Sequence, residues 1–184
     1  MTIGRTIDNS YTFETIAAIA DIISGNLTNI MDDYVKYSIV TSRVAEFIQN
    51  HSTSKPHGFP AIPDSLHEDG ATAVVRVYED LQVMSSFLRL INEALMKDSA
   101  SMQAYASVEI TKWDNLELEL KTAMEVYNAS YSNTISLEIE DPLEVDEFIY
   151  QKYFMILKEV KAYMKFIVRQ FQHLVNSGSV NRLN

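Results

Sequence analysis

Four stretches of this chain carry apolar residues alternately three and four positions apart, and no strand can produce that spacing. The first runs through Ile16, Ala20, Ile23, Leu27, Ile30, Tyr34 and Tyr37, with Val40, Val44 and Phe47 continuing it. The second holds Val74, Val77, Leu81, Met84, Leu88, Ile91 and Leu95. The third holds Ala106, Ile110, Trp113, Leu116, Leu120, Met124, Tyr127 and Tyr131. The fourth holds Ile149, Tyr153, Ile156, Val160, Tyr163, Ile167, Phe171 and Leu174. Each stripe has apolar neighbours, so the buried face is wider than a coiled-coil seam, which favours a globular bundle. The spacing predicts helices over about 12–49, 72–97, 100–131 and 144–176 in one domain. Asn9, Ser10 and Thr12 are candidate N-caps of the first, and Asp98 or Ser99 of the third.

Link lengths suggest how these helices connect. Three of the four prolines (Pro56, Pro60, Pro63) sit together in 50–71, and 132–143 forms a second long link ending at Pro142. A short link at 97–101 makes the second and third helices antiparallel neighbours. The long links can cross the full height of the bundle and leave their helices parallel. A helix of 25 residues is about 40 Å long, and twenty or so extended residues cover that distance. The expected architecture is all-α, an up-up-down-down long-chain four-helix bundle with two long crossover loops.

Composition removes several functions. The chain has 184 residues, no cysteine and a formal charge of −10. Disulfides, thiolate nucleophiles and cysteine-held metals are excluded. Nucleic-acid and anionic membrane surfaces are disfavoured, because both attract clustered positive charge. No run reaches the roughly 18 apolar residues of a membrane span. The N-terminus lacks the apolar core of a signal peptide, so the expectation is a cytoplasmic chain or a mature form whose leader has been removed.

Catalytic patterns are absent. Only His173 of the four histidines falls in a predicted helix, and Gln170 stands where a di-iron bundle needs glutamate. No phosphate-cradling glycine loop or nucleophile elbow occurs. His51, His57 and His67 share the first long link with Asp64, Glu68 and Asp69, but their spacing matches no ligand pattern and reads as solvated loop. The carboxylates between Glu138 and Glu147 likewise read as a solvated link that favours the start of the fourth helix. Asn26, Asn50 and Asn128 begin acceptor triplets for N-glycosylation. We expect no enzyme activity, no cofactor and no metal.

Helical phase points to outer faces instead. With Val160 at the centre of the buried stripe, Gln151, Lys158, Lys165 and Arg169 fall opposite it, at about 140–180°. Phe148, Met155 and Phe166 fall together at about 220–240°, an apolar line off the core and a candidate docking surface. The alternative is that the first long link covers that line. On the first and third helices, Asp21, Asp32, Lys36, Thr111, Leu118, Thr122 and Glu125 lie opposite the core, and Leu118 is the one apolar residue among them.

The order of residues in three segments resembles one family. Leu157, Lys158, Glu159, Val160, Tyr163 and Arg169 resemble the last helix of the ciliary neurotrophic factor, cardiotrophin and cardiotrophin-like cytokine group, within the interleukin-6-type cytokines. Tyr78, Glu79, Leu88, Arg89 and Asn92 are similar to its Tyr-Glu-Ala-Tyr…Tyr-Leu-Arg-x-x-Asn second helix, with Phe87 at the second aromatic position. Asp33–Ser38 and the link His57–Leu66 are similar to the end of its first helix and the Phe- and Pro-rich loop beyond. The resemblance implies an extracellular neurotrophic-factor-like ligand, acting as a monomer. Such a ligand clusters class I cytokine receptor ectodomains and activates their attached kinases in JAK/STAT signalling. It implies three receptor surfaces. One uses the end of the fourth helix, carrying Arg169, with the first loop, and takes an alpha receptor. One uses the outer faces of the first and third helices and takes the shared signalling chain. One near the start of the fourth helix takes the leukaemia-inhibitory-factor receptor through a Phe-x-x-Lys motif. Here Phe148 and Lys152 stand one residue too far apart for that motif. The alternative reading is an intracellular helical adaptor or structural protein, which would bury the same stripes.

Overall fold

The computed structural model describes residues 9–37, 56–98, 110, 112–131 and 149–178. These residues hold four helices and no strand: α1 (Asn9–Tyr37), α2 (Gly70–Asp98), α3 (Trp113–Val126) and α4 (Ile149–Asn176). The periodic residues close one core. Ile16, Ala20, Ile23 and Leu27 of α1 meet Val74, Val77, Leu81 and Met84 of α2, Leu116 and Leu120 of α3, and Ile156, Val160 and Ile167 of α4. All are at most 1% exposed. At about 25 cal/mol per Å² of apolar surface, this burial dominates the stabilisation of the fold.

The helices meet in a ring. α1 and α4 share the most extensive contact; α2 packs on α4 and α3, and α3 closes the ring on α1. The pairs α1/α2 and α3/α4 therefore lie across the diagonals. Aromatic contacts fix the ends. Phe13, near the start of α1, packs on Phe171 near the end of α4, with ring centroids 5.2 Å apart. It also stacks on Tyr127, just past α3, at 5.9 Å. Gly70, the first residue of α2, closes on the same pair. A Cβ there would sit 2.7 Å from the Tyr127 hydroxyl and 2.9 Å from the Phe13 ring. Only glycine lets the start of α2 approach this closely.

The third helix is shorter than the periodicity predicts. Lys112 takes left-handed backbone at φ 75° immediately before Trp113, so the 3.6-residue repeat is broken there and α3 starts at Trp113; the earlier part of the expected helix, 100–109, lies outside the described residues. At its other end, Asn128 is left-handed at φ 49°. Its N–H donates to the Glu125 carbonyl, and that of Ala129 to Met124. This paired closure ends a helix, and asparagine tolerates the conformation it needs. Ile110, Tyr127 and Tyr131 lie outside α3 and still pack on the core. From Ile110 onward the stripe identifies core contacts but not the helix end, and Ala106 lies outside the described residues. Asp98 is the last residue of α2, not the N-cap of α3, and α1 already begins at Asn9. The expected extension of α1 to 49 and the start of α4 at 144 lie outside the described residues.

The segment before α2 is shaped by its turn and its cap. The Phe59 N–H donates to the Pro56 carbonyl at 3.1 Å, closing a turn whose third residue, Gly58, has φ 77°. Positive φ at that position favours glycine. Phe59 is buried and its ring packs on Phe87, 5.4 Å between centroids. Asp69 caps α2, accepting from the Thr72 N–H at 2.8 Å and from its hydroxyl at 2.6 Å. Those two bonds hold the Asp69 carboxyl below its ordinary value. Asp69→Ala is expected to cost about 1 kcal/mol at neutral pH, the usual loss of an N-cap. Because the folded value is depressed, that contribution is present above pH 3.8, the ordinary value, and fades as pH falls below it. Urea midpoints of both proteins at neutral and acidic pH check this; an equal gap at both would overturn it.

Candidate interaction surfaces

The outward faces of α1 and α3 present the large exposed apolar side chains. Among the described residues these are Tyr11 at 72% exposure, Leu118 at 62% and Ile22 at 51%. Helix geometry sets Ile22 and Leu118 equally far from one contact between their helices. Phe13, near the start of α1, meets Tyr127, just past the end of α3. Ile22 lies nine residues beyond Phe13, and Leu118 nine residues before Tyr127. At 1.5 Å per residue both sit about 13–14 Å from that contact. Asp21 and Asp32 on α1, and Thr122 and Glu125 on α3, are all exposed. Thr122 and Glu125 follow Leu118 at four and seven residues, on the same helical face, and the Thr122 hydroxyl bonds the Leu118 carbonyl at 3.0 Å. Ile22 and Leu118 are thus exposed apolar residues on two helices that pack together, each with polar neighbours on its own helix. The Lys36 side chain and Thr111 lie outside the described residues. Sequence reasoning missed Ile22 and Tyr11. Ile22 directly precedes Ile23, and two successive helical residues cannot share one stripe, which was the available signal.

On α4 the expected apolar line does not form. Phe166 is 1% exposed, and its ring meets Tyr163 edge-on at 5.4 Å. Gln170, one turn later on the same side of the helix, accepts from the His67 N–H at 2.8 Å and donates to the His67 carbonyl at 2.9 Å. The segment before α2 is thus tied down over this side of α4, and Ile62 and Leu66 pack on the core. Phe166 belongs to a second buried stripe, not to an outer face. Gln151, expected opposite the core, is also buried. Met155 and Lys152 are half-buried, Arg169 is exposed, and Phe148 lies outside the described residues.

A buried polar group sits at mid-height between α2 and α4. The Tyr163 hydroxyl donates to Asp80 Oδ2, and Arg76 Nε donates to the same oxygen at 2.9 Å. Burial raises the Asp80 carboxyl above its ordinary value, against the pull of these two donors. The Tyr163 hydroxyl is also raised by burial and by the neighbouring carboxylate. On α4, burial alone pushes the Tyr153 hydroxyl up to about 12. This arrangement ties α2 to α4 through the buried Asp80 and Tyr163, with Arg76 at the surface.

No catalytic constellation is formed by the described residues. A cleft of about 430 Å³ between the end of α2 and the start of α3 is lined by Arg89, Asn92, Glu93, Lys112 and Trp113 among others, with no histidine. His173 Nε2 lies 3.1 Å from Glu68. No group of three or more His, Asp or Glu among the described residues could hold a metal ion, and no described helix is long and apolar enough to cross a membrane. Of the glycosylation triplets, Asn128 is exposed in the turn after α3, Asn26 is half-buried, and Asn50 lies outside the described residues. No protein-family model, curated protein or solved structure matches the chain.

Proposed function

We propose that this protein is an extracellular, monomeric helical ligand that clusters class I cytokine receptor chains, as its interleukin-6-type resemblance implies, and that it performs no catalysis. The observation that carries the reading is the meeting of four helix ends. The starts of α1 and α2 and the ends of α3 and α4 converge on Phe13, Gly70, Tyr127 and Phe171. An up-up-down-down order brings those four ends together, whereas simple hairpins would alternate them. The diagonal placement of α1 and α2 supports a crossover between them. So does the Phe59–Phe87 contact, about 25 Å along α2 from Gly70: the link descends beside α2 before entering it.

In this reading the shared signalling chain docks on α1 and α3 around Ile22 and Leu118. An apolar centre with a polar rim is the anatomy of a protein interface. Asp21, Asp32, Thr122 and Glu125 form the rim. Arg169 and the segment before α2 take the alpha receptor, and the start of α4 takes the third chain. The mechanism is geometric: a rigid core holds receptors at fixed spacing, and their proximity starts kinase activation.

The test is binding to immobilised ectodomains of the shared signalling chain, the leukaemia-inhibitory-factor receptor and the ciliary neurotrophic factor alpha receptor. Saturable binding to the shared chain is expected. Leu118→Glu should weaken it about 30-fold, the effect of a hot spot worth about 2 kcal/mol. Its thermal midpoint and helicity should be unchanged, because Leu118 is exposed. Folded protein that binds none of the three ectodomains would refute the reading.

A further inference from the structure

Charge is segregated among the helices. α4 carries Lys152, Lys158, Lys161, Lys165 and Arg169 against a single carboxylate, Glu159, and Glu159 is buried. α1 and α3 carry mostly carboxylates. Lys158, Lys161, Lys165 and Arg169 fall within an arc of about 80° at 100° per residue, and the row is about 16 Å long. Lys165 and Arg169 are exposed; Lys158 and Lys161 are half-buried. Arg76 on α2 pairs with Asp80, and Lys121 on α3 pairs with Glu117. Lys161, Lys165 and Arg169 have no such partner among the described residues. Among the described residues, a protein with a net charge of −10 thus keeps Lys161, Lys165 and Arg169 out of any ion pair.

We infer that this ridge of α4 binds a linear sulfated polysaccharide. Four observations select that partner. The large exposed apolar side chains of the described residues lie on α1 and α3, so the ridge lacks the apolar anchors a protein partner would fill. No aromatic on this arc is exposed, which removes the stacking platform a single-stranded nucleic acid uses. The ridge is one helix wide, so a flat bilayer would meet only its crest, while a linear chain can lie along its length. Finally, α3 stands diagonally across the bundle from α4. Packed helices are about 8–10 Å apart, so its carboxylates lie beyond the Debye length of about 8 Å at physiological salt. The carboxylates of α3 are thereby screened from the ligand, while each cation it meets releases counterions from the polymer. This site goes beyond the receptor reading and is measured without any receptor, so either can fail alone.

The experiment is binding of the full chain to immobilised heparin across a salt series starting near 50 mM. Retention at low salt is expected, with log affinity falling against log salt at a slope of roughly −2 to −4, as for three or four neutralised anions. The doubly reversed variant Lys161→Glu/Lys165→Glu should lose at least about tenfold in affinity, and Lys161→Gln/Lys165→Gln should lose less. Lys121→Glu, on α3, should bind as the parent does. Circular dichroism confirms that each variant is folded. No retention at low salt would overturn the inference, as would retention unaffected by the double reversal. Equal or tighter binding to polyglutamate, to an oligonucleotide or to anionic vesicles would assign the ridge to another partner and also overturn it.

Discussion

Phe13→Ala is expected to lower the unfolding free energy by about 3–5 kcal/mol, the usual cost of truncating a buried phenylalanine. Phe13 is 1% exposed and touches three other elements: Tyr127 after α3, Phe171 in α4, and the backbone of α2 at Gly70. Its removal opens a cavity where four helix ends converge. Gly70 has no side chain to fill that cavity, so closing it would require Tyr127 or Phe171 to leave its packed position. Aromatic pairing adds about 0.5–1.5 kcal/mol per pair to the apolar term. Small domains hold only about 5–15 kcal/mol in total, so the variant should be close to unfolding at body temperature. Urea denaturation measures the loss. Tyr11→Ala, two residues earlier and 72% exposed, is the control and should stay within about 0.5 kcal/mol of the parent. Similar losses for both would mean that the ends do not meet as described.

The second large effect is at Asp80. Asp80→Ala strips the acceptor from the buried Tyr163 hydroxyl and from Arg76. Leaving that hydroxyl unsatisfied should cost about 1.5–3 kcal/mol at neutral pH. Tyr163→Phe should cost less, because Arg76 still engages the carboxylate. The double variant should then fall short of the summed single losses, the mark of a direct interaction. The pH dependence has a definite sign. The folded Asp80 carboxyl titrates above its ordinary value of 3.8. Its contribution is therefore fullest below that value and is lost as pH rises through the raised one. The stability of the parent minus that of Asp80→Asn should decline with rising pH across that window and then level off. Asp69, with its depressed carboxyl, runs the opposite way, so the two acids offset each other in the parent's pH profile. A parent-minus-Asn difference that rises with pH would overturn the assignment for Asp80.

The sequence reveals the core well, because helical burial repeats and the repeat is visible. Ile16, Ala20, Ile23 and Leu27, and likewise Val74, Val77, Leu81 and Met84, are all fully buried. Helix ends are less legible. Tyr127 and Tyr131 keep the spacing of α3 yet lie beyond it, since burial of an aromatic does not require helical backbone around it. The reversal at Lys112 has no glycine or proline to announce it. Phe166 exposes the limit of a one-stripe reading. A helix in a ring of four can bury one face on its neighbours and another under a connecting segment, and the tie between Gln170 and His67 spans 103 positions. No local pattern reports such a contact. Leu118 stands out because it is isolated on a polar face, whereas Ile22 is concealed by Ile23 beside it.

The tie at Gln170 has an evolutionary consequence. The glutamine side chain engages only main-chain atoms of His67, one N–H and one carbonyl. Every residue except proline supplies both atoms. The exposed side chains of His57, Ala61, Asp64 and Ser65 can therefore be exchanged to recognise a different partner while this tie to the bundle is inherited unchanged. The tie constrains position 170 through its side chain and position 67 only through its main chain, so ligand preferences could change at those exposed positions without rebuilding the fold that carries them.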